Sequence, residues 1–164
     1  MTRRLPEVIN EPDFMKLLKA CKNEKHKLAF SLAFFCGLRV SEVTKLKPED
    51  VDLGRGMLFI REAKGKKDRY VPIPPPLIKG LKHLPVGVGD RALQIAINKL
   101  GLEVLGKKHH FHTLRHSSAT LYLSRGMNIR QVQQLLGHSR LDTTMIYTHV
   151  SPDDVKAKME EIWK

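Results

Sequence analysis

Apolar residues recur at helical spacing along most of the chain. Asn10 can cap a helix that continues to Cys21 and carries its apolar residues on one face. The stretch KLAFSLAFFC at residues 27–36 is strongly apolar and is followed by Gly37. It is too short to span a bilayer, so we expect residues 26–36 to form the central core helix. Other helices are predicted at residues 41–46, 77–84 and 90–104.

The periodicity changes between residues 51 and 73. MLFI at 57–60 and RYVPI at 69–73 have the composition of strands, and they flank the polar run AKGKKD at 63–68. This pattern predicts a hairpin with a basic tip, preceded by a short strand at 51–53. The expected fold is therefore α+β and mostly α-helical, with a small three-stranded antiparallel sheet at one edge.

Strong helix signals mark the last third of the chain. Thr113 can cap a helix that Gly126 ends, and Asn128 can cap a second helix that stops at Gly137. A third short helix is predicted from about residue 141, with Tyr147 near its end. The last helix is expected between residues 151 and 163, with a proline at its first position.

An apolar stripe runs along that last helix. Val155, Met159 and Ile162 are spaced by four and three residues, and Trp163 lies beside them. Chain ends fray unless they dock, so the stripe needs a partner surface. Either a neighbouring subunit or the chain's own core would satisfy this requirement.

Composition and charge narrow the class of protein. A chain of 164 residues is one domain by default, and its net charge of +12 favours a polyanionic partner, with nucleic acid the first candidate. A basic protein with no nucleic-acid role is the alternative. Cys21 and Cys36 lie in apolar helical patterns and are predicted to be buried thiols of a reducing compartment. The polar N-terminal stretch and the lack of a membrane-spanning apolar run favour a cytoplasmic protein.

Side chains able to act on a phosphodiester lie near the predicted helix ends: His112, Arg115, His138 and Tyr147. A phenol can be a nucleophile, but its ordinary pKa of about 10 means that it needs help in losing its proton. A guanidinium can donate two parallel hydrogen bonds to a phosphate, and an imidazole can move a proton or donate to an oxyanion. Together these types fit the attack of a tyrosine on a phosphodiester.

Five motifs resemble, in the same order, those of the tyrosine recombinases of the phage-integrase type. They are GLRVSE at 37–42, AKGKKDRYVPI at 63–73, HTLRH at 112–116, LLGH at 135–138 and TTMIYTHVS at 143–151. Within that family the chain looks most like the Xer-like branch, its archaeal members included. The resemblance covers nearly the whole chain. It implies that residues 1–164 form the catalytic (C-terminal-type) domain of a site-specific DNA recombinase or integrase.

The resemblance also implies a role for each matching residue. Tyr147 would attack the scissile phosphate and become linked to the 3′ phosphate. Arg39 and Arg115 would hold the non-bridging oxygens, and His138 would add a hydrogen bond to the same group. His112 would take the phenolic proton. A 5′ hydroxyl would then attack the phosphotyrosine and rejoin the DNA.

Lysines of the predicted hairpin complete this set. The family places a catalytic lysine in this turn, and Lys64 is the first choice and Lys66 the second for protonating the leaving 5′ oxygen. Lys66, Lys67 and Arg69 are predicted to contact DNA phosphates, as basic loops commonly do.

The resemblance further implies the partners of the chain. They are double-stranded DNA and other copies of the chain, as a dimer on each site and a tetramer in synapsis. No cofactor is expected, because the covalent link to the tyrosine would conserve the energy of the phosphodiester. No metal is expected either, because cationic side chains can do the electrostatic work that magnesium often does. The N-terminal core-binding domain that family members usually carry is expected to be absent. Chromosome dimer resolution is one candidate role.

Several alternatives stay open. Tyr70 and Tyr122 are rivals of Tyr147, although core packing would explain both. His112 and His116 have the spacing of zinc ligands on a helix, but no accompanying ligand motif is present. A DNA-relaxing enzyme of type IB with the same tyrosine chemistry and a DNA-binding module without catalysis are the alternative functions.

Overall fold

Seven α-helices and three strands make up the part of the chain that the structure, a computed structural model, describes: residues 7–61, 67–137 and 152–164. The helices of the first half are α1 (Glu11–Ala20), α2 (Glu24–Cys36) and α3 (Val40–Lys45). Those of the second half are α4 (Asp90–Leu105), α5 (Phe111–Ser124), α6 (Ile129–Leu136) and α7 (Pro152–Ile162). The strands are β1 (Val51–Asp52), β2 (Met57–Ile60) and β3 (Arg69–Pro72).

Helix α2 is the centre of the hydrophobic core, as its sequence predicts. Eight of its thirteen residues are buried, on every side of the helix. Phe34 stacks on Phe14 of α1, with ring centroids 3.9 Å apart, and Phe35 meets the same ring edge-on at 5.5 Å. The helix begins two residues earlier than predicted, because the Asn23 side chain accepts hydrogen bonds from the backbone N–H groups of Lys25 and His26.

The sheet confirms the predicted hairpin. Its strand order is β1-β2-β3, and all neighbours are antiparallel. In β2 and β3, Phe59 lies opposite Tyr70, and Ile60 lies opposite Arg69. Short helical turns of 3₁₀ type precede and follow the sheet at Pro48–Asp50 and Pro75–His83. The second turn lies where an α-helix was expected at residues 77–84, and two prolines at its start are unable to donate backbone hydrogen bonds.

Two predicted caps in the last third have different outcomes. Asn128 caps α6 as expected, since its side chain accepts from the N–H of Gln131, and Gly137 ends the helix with φ of +68°. The predicted cap at Thr113 is wrong, because α5 begins at Phe111 after an extended His110. Burial of Phe111 and Leu114 against the core extends the helix toward its N-terminus.

Helix α7 packs on the chain's own core. Val155 and Met159 are buried between β3 and α6. Trp163 meets Phe35 edge-on at 5.8 Å and lies under the Arg125 guanidinium at 4.7 Å. The apolar stripe therefore has an intramolecular partner, which is one of the two predicted solutions.

Two further features of the described ranges bear on the class of protein. Both cysteines are buried free thiols, as predicted. None of the helices in the described ranges is long and apolar enough to cross a membrane.

Candidate active site

A buried glutamate lies at the centre of the candidate site. Arg39 is the extended residue that begins α3, and its backbone N–H donates to Glu42 Oε1 at 2.8 Å. A glutamate at the third helical position can reach back in this way to satisfy an N–H that the helix itself leaves unpaired. The same carboxylate also lies 3.7 Å from Arg39 Nη1. The turn that begins α3 therefore fixes the first guanidinium beside a negative charge.

A second guanidinium, from β3, closes on the other side of this carboxylate. Arg69 Nη1 lies 2.5 Å from Glu42 Oε2, and Arg69 Nη2 lies 3.2 Å from Glu42 Oε1. Two parallel N–H···O contacts of this kind make the strongest common arginine–carboxylate geometry. The side chains of Arg69 and Glu42 are only 5% and 4% exposed, so the pair is a structural one inside the fold.

The third guanidinium comes from α5. Arg115 Nη1 donates to the backbone carbonyl of Gly37 at 2.6 Å and lies 3.9 Å from Glu42 Oε1. Helix α5 packs on α2 through small residues, and Ser118 is fully buried there beside Gly37. Gly37 has φ of +68°, which turns the chain from α2 toward α3 and presents its carbonyl to Arg115.

The resulting cluster is strongly cationic. Three guanidiniums of the described chain lie within ion-pair distance of the Glu42 carboxylate. Arginine stays charged at any relevant pH, so these three positive charges are permanent. Arg39 is the most accessible of the three, with 26% of its side chain exposed. Such an arrangement is suited to binding an anion at its open side and to stabilising added negative charge there.

His112 lies beside this cluster in the first turn of α5. Partial burial lowers the pKa of its imidazole, and the positive charges of His116, Arg115 and Arg39 lower it further. The positive end of the α5 dipole acts in the same direction. A neutral imidazole is therefore favoured near pH 7, and this form can accept a proton.

The structure brings Arg39 and Arg115 together around Glu42, and it places His112 in the first turn of α5, near enough for both guanidiniums to lower the pKa of its imidazole. Lys67 is exposed just before β3. Four further predictions lie outside the described residues, namely Lys64, Lys66, His138 and Tyr147.

Arg69 is placed differently from the expected phosphate contact. Its side chain points into the protein and pairs with Glu42, because the alternation of β3 directs Arg69 and Val71 inward and Tyr70 outward. We therefore do not retain Arg69 among the residues proposed to touch DNA.

The rival tyrosines have structural roles. Tyr122 is fully buried and donates its hydroxyl to the Phe35 carbonyl at 2.5 Å. Burial raises its pKa well above the usual range, so it is unsuited to act as a nucleophile. Tyr70 packs between Phe59 and the Arg55 guanidinium on the outer face of the sheet.

His112 and His116 pack edge-to-face with ring centroids 4.4 Å apart. Within the described ranges, no group of three or more His, Cys, Asp or Glu residues could hold a metal ion. The positive charge of Arg115 beside both rings also disfavours a cation at this position.

Glu42 is the site residue that sequence reasoning missed. Its position three residues after Arg39 fits the N-terminal glutamate of a capped helix, and that signal was available in the motif GLRVSE. Its contacts with Arg69 and Arg115 join residues far apart in sequence, so no local pattern could indicate them.

Comparison with known proteins identifies the family. The chain matches the phage integrase family over residues 7–88 and 86–154, and it therefore belongs to this family. The tyrosine recombinase XerA of Pyrococcus furiosus is 36% identical over 178 residues, which cover 96% of this chain and 62% of that protein. The chain spans about three fifths of the length of the curated relatives it matches.

Solved structures share the same fold. The integrase of mycobacterium phage Brujita has a TM-score of 0.80 and 25% identity, with 99% of this chain and 60% of the other covered. A structure of the XerH site-specific recombinase, bound to a palindromic difH substrate after cleavage, has a TM-score of 0.68 and 25% identity. In that comparison 85% of this chain and 48% of XerH are covered.

Proposed function

We propose that this chain is the catalytic domain of a Xer-like site-specific DNA recombinase, which cuts and rejoins DNA strands through a 3′-phosphotyrosyl intermediate. The observation that carries the proposal is the cluster of the Arg39 and Arg115 guanidiniums around Glu42, with His112 in the first turn of α5, where burial and these positive charges lower its pKa. Membership of the phage integrase family supports the same reaction. The proposal treats residues 1–164 as one catalytic-type domain.

The proposed reaction uses the phenolic oxygen of Tyr147 as nucleophile. Its attack on the scissile phosphorus forms the phosphotyrosyl bond and breaks the bond to the 5′ oxygen. His112 accepts the phenolic proton, and Lys64, or Lys66 in its place, donates a proton to the leaving 5′ oxygen. Attack by a 5′ hydroxyl on the phosphotyrosyl bond then restores the phosphodiester and releases the tyrosine.

The arginines act on charge that develops during this step. Arg39 and Arg115 donate to the non-bridging oxygens, with His138 beside them, and the fixed guanidiniums stabilise the pentavalent transition state. Glu42 keeps both arginines in place, because each lies within ion-pair distance of its carboxylate. Preorganised donors of this kind cost no reorganisation during the reaction.

The proposed partner is double-stranded DNA. The net charge of +12 and the exposed Lys67, which lies just before β3, support binding to the phosphate backbone. The XerH structure is of a recombinase bound to its DNA site. We propose a dimer of the chain on each site and a tetramer in synapsis, in the cytoplasm, where free thiols such as Cys21 and Cys36 are common.

The deciding experiment compares two tyrosine variants on a nicked suicide DNA substrate. Tyr147→Phe should abolish the covalent protein–DNA adduct on a denaturing gel and leave DNA affinity nearly unchanged, since one hydroxyl is lost. Tyr122→Phe is the matched control, and it should form the adduct while losing about 1 kcal/mol of stability with the hydrogen bond to Phe35. A normal adduct yield from Tyr147→Phe would disprove the assignment. No adduct with the unaltered chain would favour a binding module without catalysis.

A further inference from the structure

One guanidinium holds three separate parts of the candidate site together. Arg69 of β3 makes two contacts with Glu42 of α3, at 2.5 and 3.2 Å. Its third donor, Nε, donates to the Leu135 carbonyl near the end of α6 at 3.1 Å. The last carbonyls of a helix lack intrahelical partners and carry the negative end of its dipole, so a buried cation is well matched to this position.

The backbone around Arg69 is shaped to admit its side chain. Gly137, which ends α6, has φ of +68°, and a Cβ there would lie 2.8 Å from Arg69 Nη1 and 2.9 Å from both Cδ and Cζ. Contacts that short require the guanidinium to move. Glycine is therefore needed at position 137 both for the turn and for the space that Arg69 fills.

Arg69 joins three segments, α3, α6 and its own strand β3, and each segment lies next to residues of the proposed reaction. Glu42 holds Arg39 and Arg115. In the sequence, Gly137 is followed at once by His138, and Arg69 begins the strand that follows the lysines of the hairpin. A shift of the Arg69 guanidinium would therefore act on four of the five motifs: GLRVSE, AKGKKDRYVPI, HTLRH and LLGH.

We infer that Arg69 is a positioning residue, which sets the geometry of the catalytic arginines and of the α6 terminus through Glu42 and Leu135 without touching DNA. The inference rests on the proposed function. Arg69 would therefore not contact a phosphate, because 95% of its side-chain surface is covered and its N–H groups donate to Glu42 and to the Leu135 carbonyl. Lysine would keep the charge but lose the planar set of donors, so it is not an equivalent replacement.

The first test measures binding and cleavage separately in Arg69→Lys. At saturating DNA, we expect the single-turnover rate of adduct formation to fall by about 10- to 100-fold, as small displacements of catalytic groups commonly do. The dissociation constant for DNA and its dependence on salt should stay unchanged. Arg55→Lys is the control, because Arg55 is exposed on the outer face of the sheet, and its cleavage rate should equal that of the unaltered chain.

The second test moves the guanidinium without replacing it. Gly137→Ala should slow cleavage by about tenfold or more. Gly106→Ala is the matched control, since Gly106 also ends a helix with φ of +72° but has nothing within 4 Å of an added Cβ. Both variants introduce a similar backbone strain. Gly137→Ala is also made in a His138→Ala background, where a further loss of rate reports the contact with Arg69 and not a displaced His138. The pair also serves as the test if Arg69→Lys does not fold.

Hydrogen exchange gives a readout that does not depend on DNA chemistry. In Arg69→Lys, the backbone amides of the last turn of α6 should exchange about tenfold faster, because a hydrogen bond from a charged donor to the Leu135 carbonyl is lost. Faster exchange without any adduct from the unaltered chain would overturn the proposed function but retain the contact. Unchanged exchange would overturn the inference.

Two other outcomes would also overturn the inference that Arg69 is a positioning residue. If Arg69→Gln, which removes the charge, lowers the salt slope of DNA binding by about 0.9, Arg69 is a phosphate contact after all. If cleavage per folded molecule is normal in both Arg69→Lys and Gly137→Ala, Arg69 contributes to stability alone.

Discussion

Arginines occur in two contrasting settings in this molecule. Around Glu42, the side chains of Arg69 and Arg115 are 5% and 4% exposed and bind carboxylate and carbonyl oxygens. On the outer face of the sheet, Arg55 lies 4.9 Å from the centre of the Tyr70 ring, and Arg61 lies 5.5 Å from that of Phe59. We call the arginines around Glu42 the inner cluster, and we call the side of the sheet that carries Arg55 and Arg61 the outer face.

The contrast shows that burial decides what an arginine contributes. Inside the protein, charges interact strongly, but a buried charge that loses its partner is severely destabilising. On the outer face, water screens the charge, and each cation–π contact contributes about 0.5–1 kcal/mol. The inner cluster can therefore hold guanidiniums in fixed positions, whereas Arg55 on the outer face is tolerant of substitution. Arg61 is an exception on that face, because it also donates to the buried Asp50 carboxylate at 2.8 Å.

Removing the central carboxylate should have the largest effect on stability. Glu42→Gln removes a buried counter-charge that Arg69 and Arg115 share, and we expect the free energy of unfolding to fall by about 3–5 kcal/mol. Urea denaturation measures this change. Glu49→Gln is the control at an exposed glutamate and should change stability by less than about 0.5 kcal/mol. If Glu42→Gln lowers the free energy of unfolding by less than about 1 kcal/mol, the proposed difference between the inner cluster and the outer face is wrong.

Double-mutant cycles should reveal the same difference as coupling energies. In the inner cluster, Glu42→Gln combined with Arg69→Gln should show a coupling of about 1–3 kcal/mol, because each substitution removes the other's partner. On the outer face, Arg55→Ala combined with Tyr70→Leu should show about 0.5–1 kcal/mol. Equal couplings in the two cycles would mean that burial does not distinguish the two settings.

Lys67 and Arg69 are two residues apart, and comparing them tests whether exposure decides which basic side chain contacts DNA. Lys67 is exposed and Arg69 is buried. We expect Lys67→Ala to lower the slope of log affinity against log salt concentration by about 0.9, the value for one phosphate contact. Fluorescence anisotropy at several salt concentrations measures the slope. An unchanged slope would remove Lys67 from the proposed DNA surface.

The smallest expected effect is a dependence of stability on pH. Burial lowers the pKa of His109, His112 and His116 in the folded protein, so the unfolded chain binds more protons at mildly acidic pH. Stability should therefore fall as pH drops from 7 through about 6.5, the unfolded histidine pKa, and level off below the folded values. Urea denaturation between pH 7 and 5.5 measures this trend.

A single variant tests the origin of that dependence. His116→Gln removes one of these shifted groups and also a positive neighbour of His112. The pH dependence should become weaker in this variant. If the pH dependence of stability stays the same in this variant, groups other than these histidines cause it.

Much of the secondary structure was predictable because its signals are local. The Asn10 and Asn128 caps, the Gly37 and Gly137 stops and the antiparallel hairpin all agree with the structure. Each depends on residues within about one helical turn or one strand pair. Thr113 failed as a cap because Phe111 and Leu114 bury against the core, and that packing extended α5 past the local signal.

The sequence by itself determined most of the helices in the described ranges, the sheet, the family motifs and the positive charge of this protein. Only the tertiary structure decided that Arg69 turns inward to Glu42 and that Tyr122 is buried. The Arg69 side chain joins residues 27 and 66 positions away along the chain, at Glu42 and Leu135. A pattern of neighbouring residues carries no information about such a contact. Whether an arginine binds a buried carboxylate or a phosphate depends on which surfaces the fold covers.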